Sequence, residues 1–450
     1  MLKKIFSYGF IEGIAKGLNK LTILLLPLLL STTDYGKVGL LVSIEMVIPL
    51  ISLLGFERAV LRFYGEKSKY TGFKKTIFSS ALWTHLFLII IISILYGAGY
   101  KTFFGLHLFP DLILVVVLIY FQGTNLITLN MLRVEENHKK YFKGRLFIQG
   151  CKFTLVLLCV FISQHYLGYV VGAIIAAITA NILFRTQRTD NEQPTFSKKT
   201  FLSLFAFSWP FMFHGVAGNL LGNADKFILE RYMSLNEVGL YTLAYSFGST
   251  MIFAFVGISV FLEPMIYKEK RDAQRKQILN KFLLISIGFG LLAYILITLA
   301  SNYVLPYFYD ESYTLVFKYI PLIAIAFLIY PYYLKSNYTM IYDKRSLPIA
   351  VMSIVSASIN IGLNVYFIPI YGIYAAVFTT LISYIIQAFL FVFMANKYKF
   401  NGELLEVFIF GGILSLCVYY KLNFYFIAII IIFFLTYIYF YKLKSKKIEC

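Results

Sequence analysis

The chain has 450 residues, of which 59% are hydrophobic and 14% charged, with a mean hydropathy of +0.75. A soluble protein carries about 25% charged residues, so a water-soluble globule is excluded. The net charge of +19 does not indicate a nucleic-acid partner either. The basic residues sit in alternate short segments between apolar runs, not on one binding face.

Those apolar runs recur along the whole length, each roughly 20 residues and able to cross ~30 Å of hydrocarbon. They lack the alternation of a transmembrane barrel strand. The expected fold is therefore an all-α polytopic membrane protein of about fourteen transmembrane helices. In chain order the spans fall near 10–31, 35–57, 76–97, 111–131, 144–163, 167–184, 201–224, 237–260, 279–300, 314–334, 347–368, 372–395, 404–420 and 423–441. Met1-Leu-Lys-Lys is not followed by a short apolar stretch with a small-residue cleavage site, so the first span reads as an uncleaved helix. Counting from a cytoplasmic N-terminus, the basic residues gather on one side. Examples are Arg58, Arg62, Lys67 and Lys69, then Arg133, Lys139 and Lys140, then Lys268, Lys270 and Arg271, and finally Lys442–Lys447. Both termini are expected on the cytoplasmic side.

Ionisable residues inside spans are costly and mark cavities or partners. In the first span Glu12, Lys16 and Lys20 follow at helical spacing on one face, with Asn19 beside them. They form either a basic wall for an anionic group or lysines snorkelling to the inner interface. Glu45 lies midway along the second span and reads as a proton-coupling carboxylate or as the partner of a first-span lysine. Lys152, with Gln149 three residues before it, is a second cavity candidate or a lysine reaching for the inner surface. The seventh span carries Trp209-Pro210, His214, Asn219, Asn223 and Asp225-Lys226; the last two read as an interfacial pair or an outer gate. Pro27 and Pro210 are expected to kink their helices. Neither the cysteines nor the histidines have metal-ligand spacing, so no metal site is expected.

The second half repeats the first. Gly36, Ser43, Tyr64, Glu66 and Lys67 match Gly239, Ser246, Tyr267, Glu269 and Lys270 at one constant offset. Each half starts inside and holds six spans, so the repeats are parallel. The expected organisation is an N-terminal six-helix bundle over 1–190, a cytoplasmic linker over 191–200 overlapping the polar stretch Gln187–Lys199, and a second bundle over 201–400. Two further helices and a basic tail occupy 401–450. The loops are too short for a nucleotide-binding or extracellular catalytic domain, and no Walker loop is present. The chain is thus not expected to be an enzyme.

The stretch L-L-L-S-T-T-D-Y-G-K-V-G-L-L before the second span resembles polysaccharide-repeat-unit flippases of the Wzx type. So do N-A-D-K-F-I-L…N-E-V-G-L-Y-T-L-A-Y across spans seven and eight and Y-G-I-Y-A-A-V at Tyr371–Val377. These flippases form part of the multidrug/oligosaccharidyl-lipid/polysaccharide exporter superfamily. The resemblance implies a MATE-like V-shaped pair of bundles around a central cavity, and movement of an undecaprenyl-pyrophosphate-linked O-antigen, capsule or exopolysaccharide unit by alternating access. It further implies a bacterial inner-membrane location, contact with membrane lipids and a polysaccharide polymerase or chain-length regulator as partner. Lys16, Lys20, Lys152, Asn19 and His214 would line the cavity; Glu45, Asp225 and Lys226 would serve coupling to H+ or Na+, or gating. No cofactor is implied. The competing readings are a cation-coupled multidrug or small-molecule exporter, a lipid II flippase of the same superfamily, and a membrane glycan enzyme.

Overall fold

The computed structural model describes residues 2–184, 195–400 and 402–419. The first part of the expected linker, the fourteenth span and the basic tail lie outside them. Apart from a short hairpin pairing Thr102–Phe103 with Leu106–His107, the described elements are helical. Eleven of the helices described are long and apolar enough to cross a membrane. The chain is a multi-pass membrane protein.

The chain divides into two compact units, one spanning Phe10–Gly239 and the other running from Leu240 on, with Met1–Gly9 grouped in it. The first unit contains α1 (Leu2–Leu25, from Phe10), α2 (Thr32–Ser52), α3 (Phe56–Phe63), α4 (Phe73–Gly97) and α5 (Ile113–Val134). It continues with α6 (His138–Ser163), α7 (Leu167–Phe184), α8 (Lys198–Tyr232) and the start of α9 (Leu235–Gly248). Local chemistry sets several boundaries. Pro27 has no N–H to continue the ladder, so α1 stops at Leu25 and a single 3-10 turn follows. Ser31 then caps α2, its hydroxyl accepting from the Asp34 N–H at 3.2 Å. Pro210, by contrast, lies inside the uninterrupted α8.

The second expected span was drawn to residue 57, but the helix ends at Ser52. Leu54 and Gly55 both take left-handed φ (56° and 68°), and the short α3 begins beyond them. Helix α3 is amphipathic: Phe56, Ala59 and Val60 pack with Ile77, Met131 and Leu204, while Arg58 and Arg62 stay exposed. On α4 the exposed side chains Trp83, Phe87, Ile90 and Ile94 recur at helical spacing. An uncovered apolar stripe of this kind suits hydrocarbon and would be a liability in water.

The second unit holds the rest of α9, α10 (Met251–Lys268), α11 (Asp272–Tyr303), α12 (Tyr319–Ala326), α13 (Tyr330–Tyr342), α14 (Ser346–Ala395) and α15 (Gly402–Tyr419). The single tenth span expected near 314–334 is a composite of 3-10 turns with α12 and α13, running from Glu311 to Tyr342. Spans eleven and twelve run on as α14, broken at Gly372 (φ 58°, ψ −138°), a conformation that glycine alone tolerates well. The two arms of α14 are joined by a buried polar ladder. Asn360 donates to Ser383 at 3.0 Å, Asn364 donates to Asn360 at 3.0 Å, and Thr379 donates to Asn364. No bilayer water can satisfy such groups, so they satisfy one another.

Within the first unit, Gly36 of α2 meets Gly239 of α9, the residue that the repeat pairs with it. A β-carbon at Gly36 would collide with the Leu235 carbonyl oxygen, and one at Gly239 with that of Thr32. Backbone approach this close needs two residues without side chains. Gly36→Val or Gly239→Val is expected to destabilise the protein by about 1–3 kcal/mol, the usual cost of overpacking. Gly13→Ala, where an added methyl group meets nothing within 4 Å, should be neutral. Thermal unfolding of the detergent-solubilised protein, followed by loss of the monodisperse peak, would measure both.

Candidate functional site

The polar side chains of the first unit converge on α6. Tyr141, Arg145, Gln149 and Lys152 follow at spacings of four, four and three, which places them on one helical face. At its start, Arg145 binds Glu12 of α1 through two parallel bonds, Nε to Oε1 at 2.9 Å and Nη2 to Oε2 at 3.0 Å. The Tyr141 hydroxyl donates to the same Oε1 at 2.6 Å. This fork-on-fork geometry is the strong form of a carboxylate–guanidinium pair. Further along, the Lys152 ammonium lies 3.1 Å from Glu45 Oε2 of α2, with side chains only 12% and 8% exposed. Gln122 of α5 donates to the same oxygen at 3.3 Å, and the Tyr169 hydroxyl of α7 lies 3.2 Å from the ammonium.

Glu45 is therefore partnered from α6, and not by a first-span lysine. Lys152 does not snorkel; its charge is already compensated. Lys16 is exposed one turn beyond Glu12, close enough to act on its charge, and Asn19 and Lys20 are half-buried on α1. The pair Asp225–Lys226, read as interfacial or gating, is buried: Asp225 is fully enclosed and Lys226 is 4% exposed. The Lys226 ammonium donates to Asn223 Oδ1 at 2.9 Å and to Ser43 Oγ of α2 at 3.3 Å. Asn223 in turn donates to the Asn219 carbonyl at 3.0 Å, and Asn219 to that of Gly215 at 2.9 Å, a polar line along α8. Lys20 is near enough to Lys226 for the two positive charges to oppose each other. His214 is half-buried on α8, within reach of the Arg58 charge. Among the described residues no group of three or more His, Cys, Asp or Glu could hold a metal ion.

Sequence reasoning missed Arg145, Tyr141, Gln122 and Tyr169. The signal for Arg145 is its spacing with Gln149 and Lys152, which marks the face that carries all three. Chemically, the unit offers two compensated cations on α6 and two closely spaced lysines, Lys20 and Lys226, from α1 and α8.

Residues 1–261 match the model of the polysaccharide biosynthesis protein family, and residues 210–366 match that of the MatE family. The chain belongs to the polysaccharide biosynthesis protein family. No curated protein sequence matches it. Among solved structures it is similar to a lipid II flippase, MurJ, in an inward closed conformation, with a TM-score of 0.70 at 16% identity over 96% of this chain and 98% of that one. It is also similar to an inward-facing MATE multidrug resistance transporter, with a TM-score of 0.63 at 12% identity over 86% and 94%. A mutant of the Vibrio cholerae MATE transporter VcmN gives 0.58 at 15% identity over 88% and 96%.

Removing one partner of the buried pair should be worse than removing both. Lys152→Met leaves Glu45 enclosed without its counter-ion and is expected to cost about 3–5 kcal/mol. Glu45→Gln combined with Lys152→Met should recover most of that loss. A double-mutant cycle on thermal stability checks it; simple additivity would show that the pair does not interact.

Proposed function

We propose that this chain moves an undecaprenyl-pyrophosphate-linked oligosaccharide repeat unit, of O-antigen, capsule or exopolysaccharide type, across the bacterial cytoplasmic membrane by alternating access. The observation that carries the reading is the pairing of a polysaccharide-biosynthesis family match with several cations inside apolar helices. In the first unit Lys20 and Lys226 stand together, while Glu12 and Glu45 are engaged by Arg145 and Lys152. Passing a pyrophosphate and several sugars through hydrocarbon unaided is far too costly. A cleft that offers cations to the headgroup lowers that barrier, and the polyprenyl tail stays in lipid. The termini would lie in the cytoplasm, the chain would catalyse no covalent chemistry, and a polymerase or chain-length regulator would receive its product.

A second reading is favoured by a specific likeness. The MurJ structure covers nearly the whole chain, so a lipid II flippase would use the same fold and the same headgroup chemistry. A multidrug exporter would favour intramembrane acids left free for cationic drugs; Glu12 and Glu45 are both engaged by cations here.

Deletion should abolish full-length surface glycan and accumulate lipid-linked repeat units inside the cell. Complementation with Lys20→Ala or Lys226→Ala should restore at most a tenth or so of the glycan, about the effect of losing one charge-assisted contact of ~1.5 kcal/mol or more. Normal glycan in the deletion strain, with no second transporter present, would refute the assignment. Arrest of cell-wall synthesis in its place would favour lipid II.

A further inference from the structure

The second unit carries a cluster of tyrosines in which some hydroxyls are not used by the fold. On α13, Tyr330, Tyr333 and Asn337 follow at spacings of three and four, on one helical face, and all three are half-buried. The arm of α14 beyond Gly372 presents Tyr384, Gln387 and Phe391 at the same spacings. Ring contacts join the two faces. Tyr330 meets Tyr384 edge-on with centroids 6.1 Å apart, and Tyr333 meets Phe391 edge-on at 4.7 Å. Gln387 thus sits between the two contacts. From α9, the Tyr245 hydroxyl lies 3.2 Å from that of Tyr384. The phenols of Tyr330, Tyr338 and Tyr384 are close enough to Tyr333 to act on it electrostatically. Among the described residues, the Tyr330 and Tyr333 hydroxyls and the Gln387 amide have no hydrogen-bond partner. Asn337 Oδ1 is buried and has none either.

We propose that this face of the second unit is a carbohydrate subsite that takes one uncharged pyranose of the transported glycan. The rings of Tyr330 and Tyr333 meet the apolar C–H face of the sugar. Their hydroxyls, the Gln387 amide and Asn337 Oδ1 meet its hydroxyls or an N-acetyl group. The inference rests on the reading that the cargo is a lipid-linked oligosaccharide, and adds to it which residues hold a sugar and that this sugar is neutral.

A tyrosine that only packs a bundle core ties its hydroxyl to a nearby acceptor. Tyr332 does so with Glu406 at 3.2 Å, and Tyr374 with the Val418 carbonyl at 2.8 Å. Tyr330 and Tyr333 do not, and hydrocarbon cannot hydrate what they leave over. Polar groups so placed call for water or a ligand. A pyranose matches the pattern in both respects. Its C–H face is apolar, and each hydroxyl at its rim donates and accepts, as phenol hydroxyls and a primary amide also do. A charged sugar does not match. Every side chain named on this face is neutral, and the buried cation of α13, Lys335, is turned to Asn280 and Glu403, each at 2.8 Å. A carboxylate held against the tyrosines would be enclosed without compensation, which is strongly unfavourable.

The test measures the gain in affinity that a single sugar confers. The full chain in lipid nanodiscs is titrated with undecaprenyl pyrophosphate, bare or bearing one glucose, galactose, N-acetylglucosamine or glucuronic acid residue. At least one of the uncharged sugars should tighten binding about tenfold or more over the bare lipid, the effect of a few hydrogen bonds, and glucuronic acid should not. Tyr330→Phe combined with Tyr333→Phe keeps the rings and their packing but removes both hydroxyls. That variant should bring the gain close to unity, and Gln387→Leu should reduce it several-fold, by about one hydrogen bond. Neither should alter affinity for the bare lipid. Binding of the bare lipid with no gain from any uncharged sugar overturns the inference and leaves the transport reading standing. So does an equal gain from glucuronic acid, an unmoved gain in both variants, or a loss that falls equally on the bare lipid. Failure of every lipid to bind overturns the two together.

Discussion

An ionised side chain among apolar helices has to be met by a charge or by several hydrogen bonds, because hydrocarbon offers neither. The first unit meets that requirement on a single helix. Arg145 and Lys152 occupy one face of α6, and each is matched by a carboxylate from a different neighbour, Glu12 of α1 and Glu45 of α2. These two pairs fix which faces of α1 and α2 turn toward α6. They are unequal in weight. Glu12 and Arg145 are 32% and 20% exposed, Glu45 and Lys152 only 8% and 12%, so screening weakens the first pair more than the second.

The second unit solves the same problem with fewer charges near the duplicated core. Among its buried polar groups are Asn360, Asn364, Thr379 and Ser383, neutral side chains that bond across the two arms of α14. Its buried ion pair instead ties α13 to α15: Lys335 lies 2.8 Å from Glu403, with Asn280 of α11 at 2.8 Å, and Tyr332 donates to Glu406 at 3.2 Å. Helix α15 lies outside the repeat, so specific polar contacts rather than apolar packing alone determine where it docks. A lipid-solvated helix has little hydrophobic reason to prefer one neighbour over another.

Most of this architecture was legible because hydropathy reports a solvent, and the solvent here is lipid. Runs such as those of α4 and α7 have hydropathy 2.1, and their limits followed from composition. The misreadings fall where backbone rather than solvent decides. The bend at Leu54–Gly55 ends α2 early, and the 3-10 turns around α12 break up the tenth span. In the site, the residue types were readable but their partners were not. Glu45 and Lys152 are 107 positions apart, and nothing local in sequence says that α6 lies against α2. Lys226, read from its place at the end of an apolar run as an interfacial or a gating residue, is drawn inside by Asn223 and Ser43.

Comparing repeat-equivalent positions separates what the duplication preserved from what it released. Gly36 and Gly239 are both needed because each is the other's contact; a side chain on either would strike backbone. Ser43 and Ser246 are both buried, yet Ser43 receives the Lys226 ammonium while Ser246 gives its carbonyl to Ser249. Tyr64 donates to Glu135 at 2.6 Å beneath Lys67, while Tyr267 packs edge-on against Tyr338. The glycine contact is thus shared between the equivalent positions, and the polar partners are not. Buried lysines occur in both units, Lys226 in the first and Lys335 in the second, while the two arms of α14 are joined by neutral side chains.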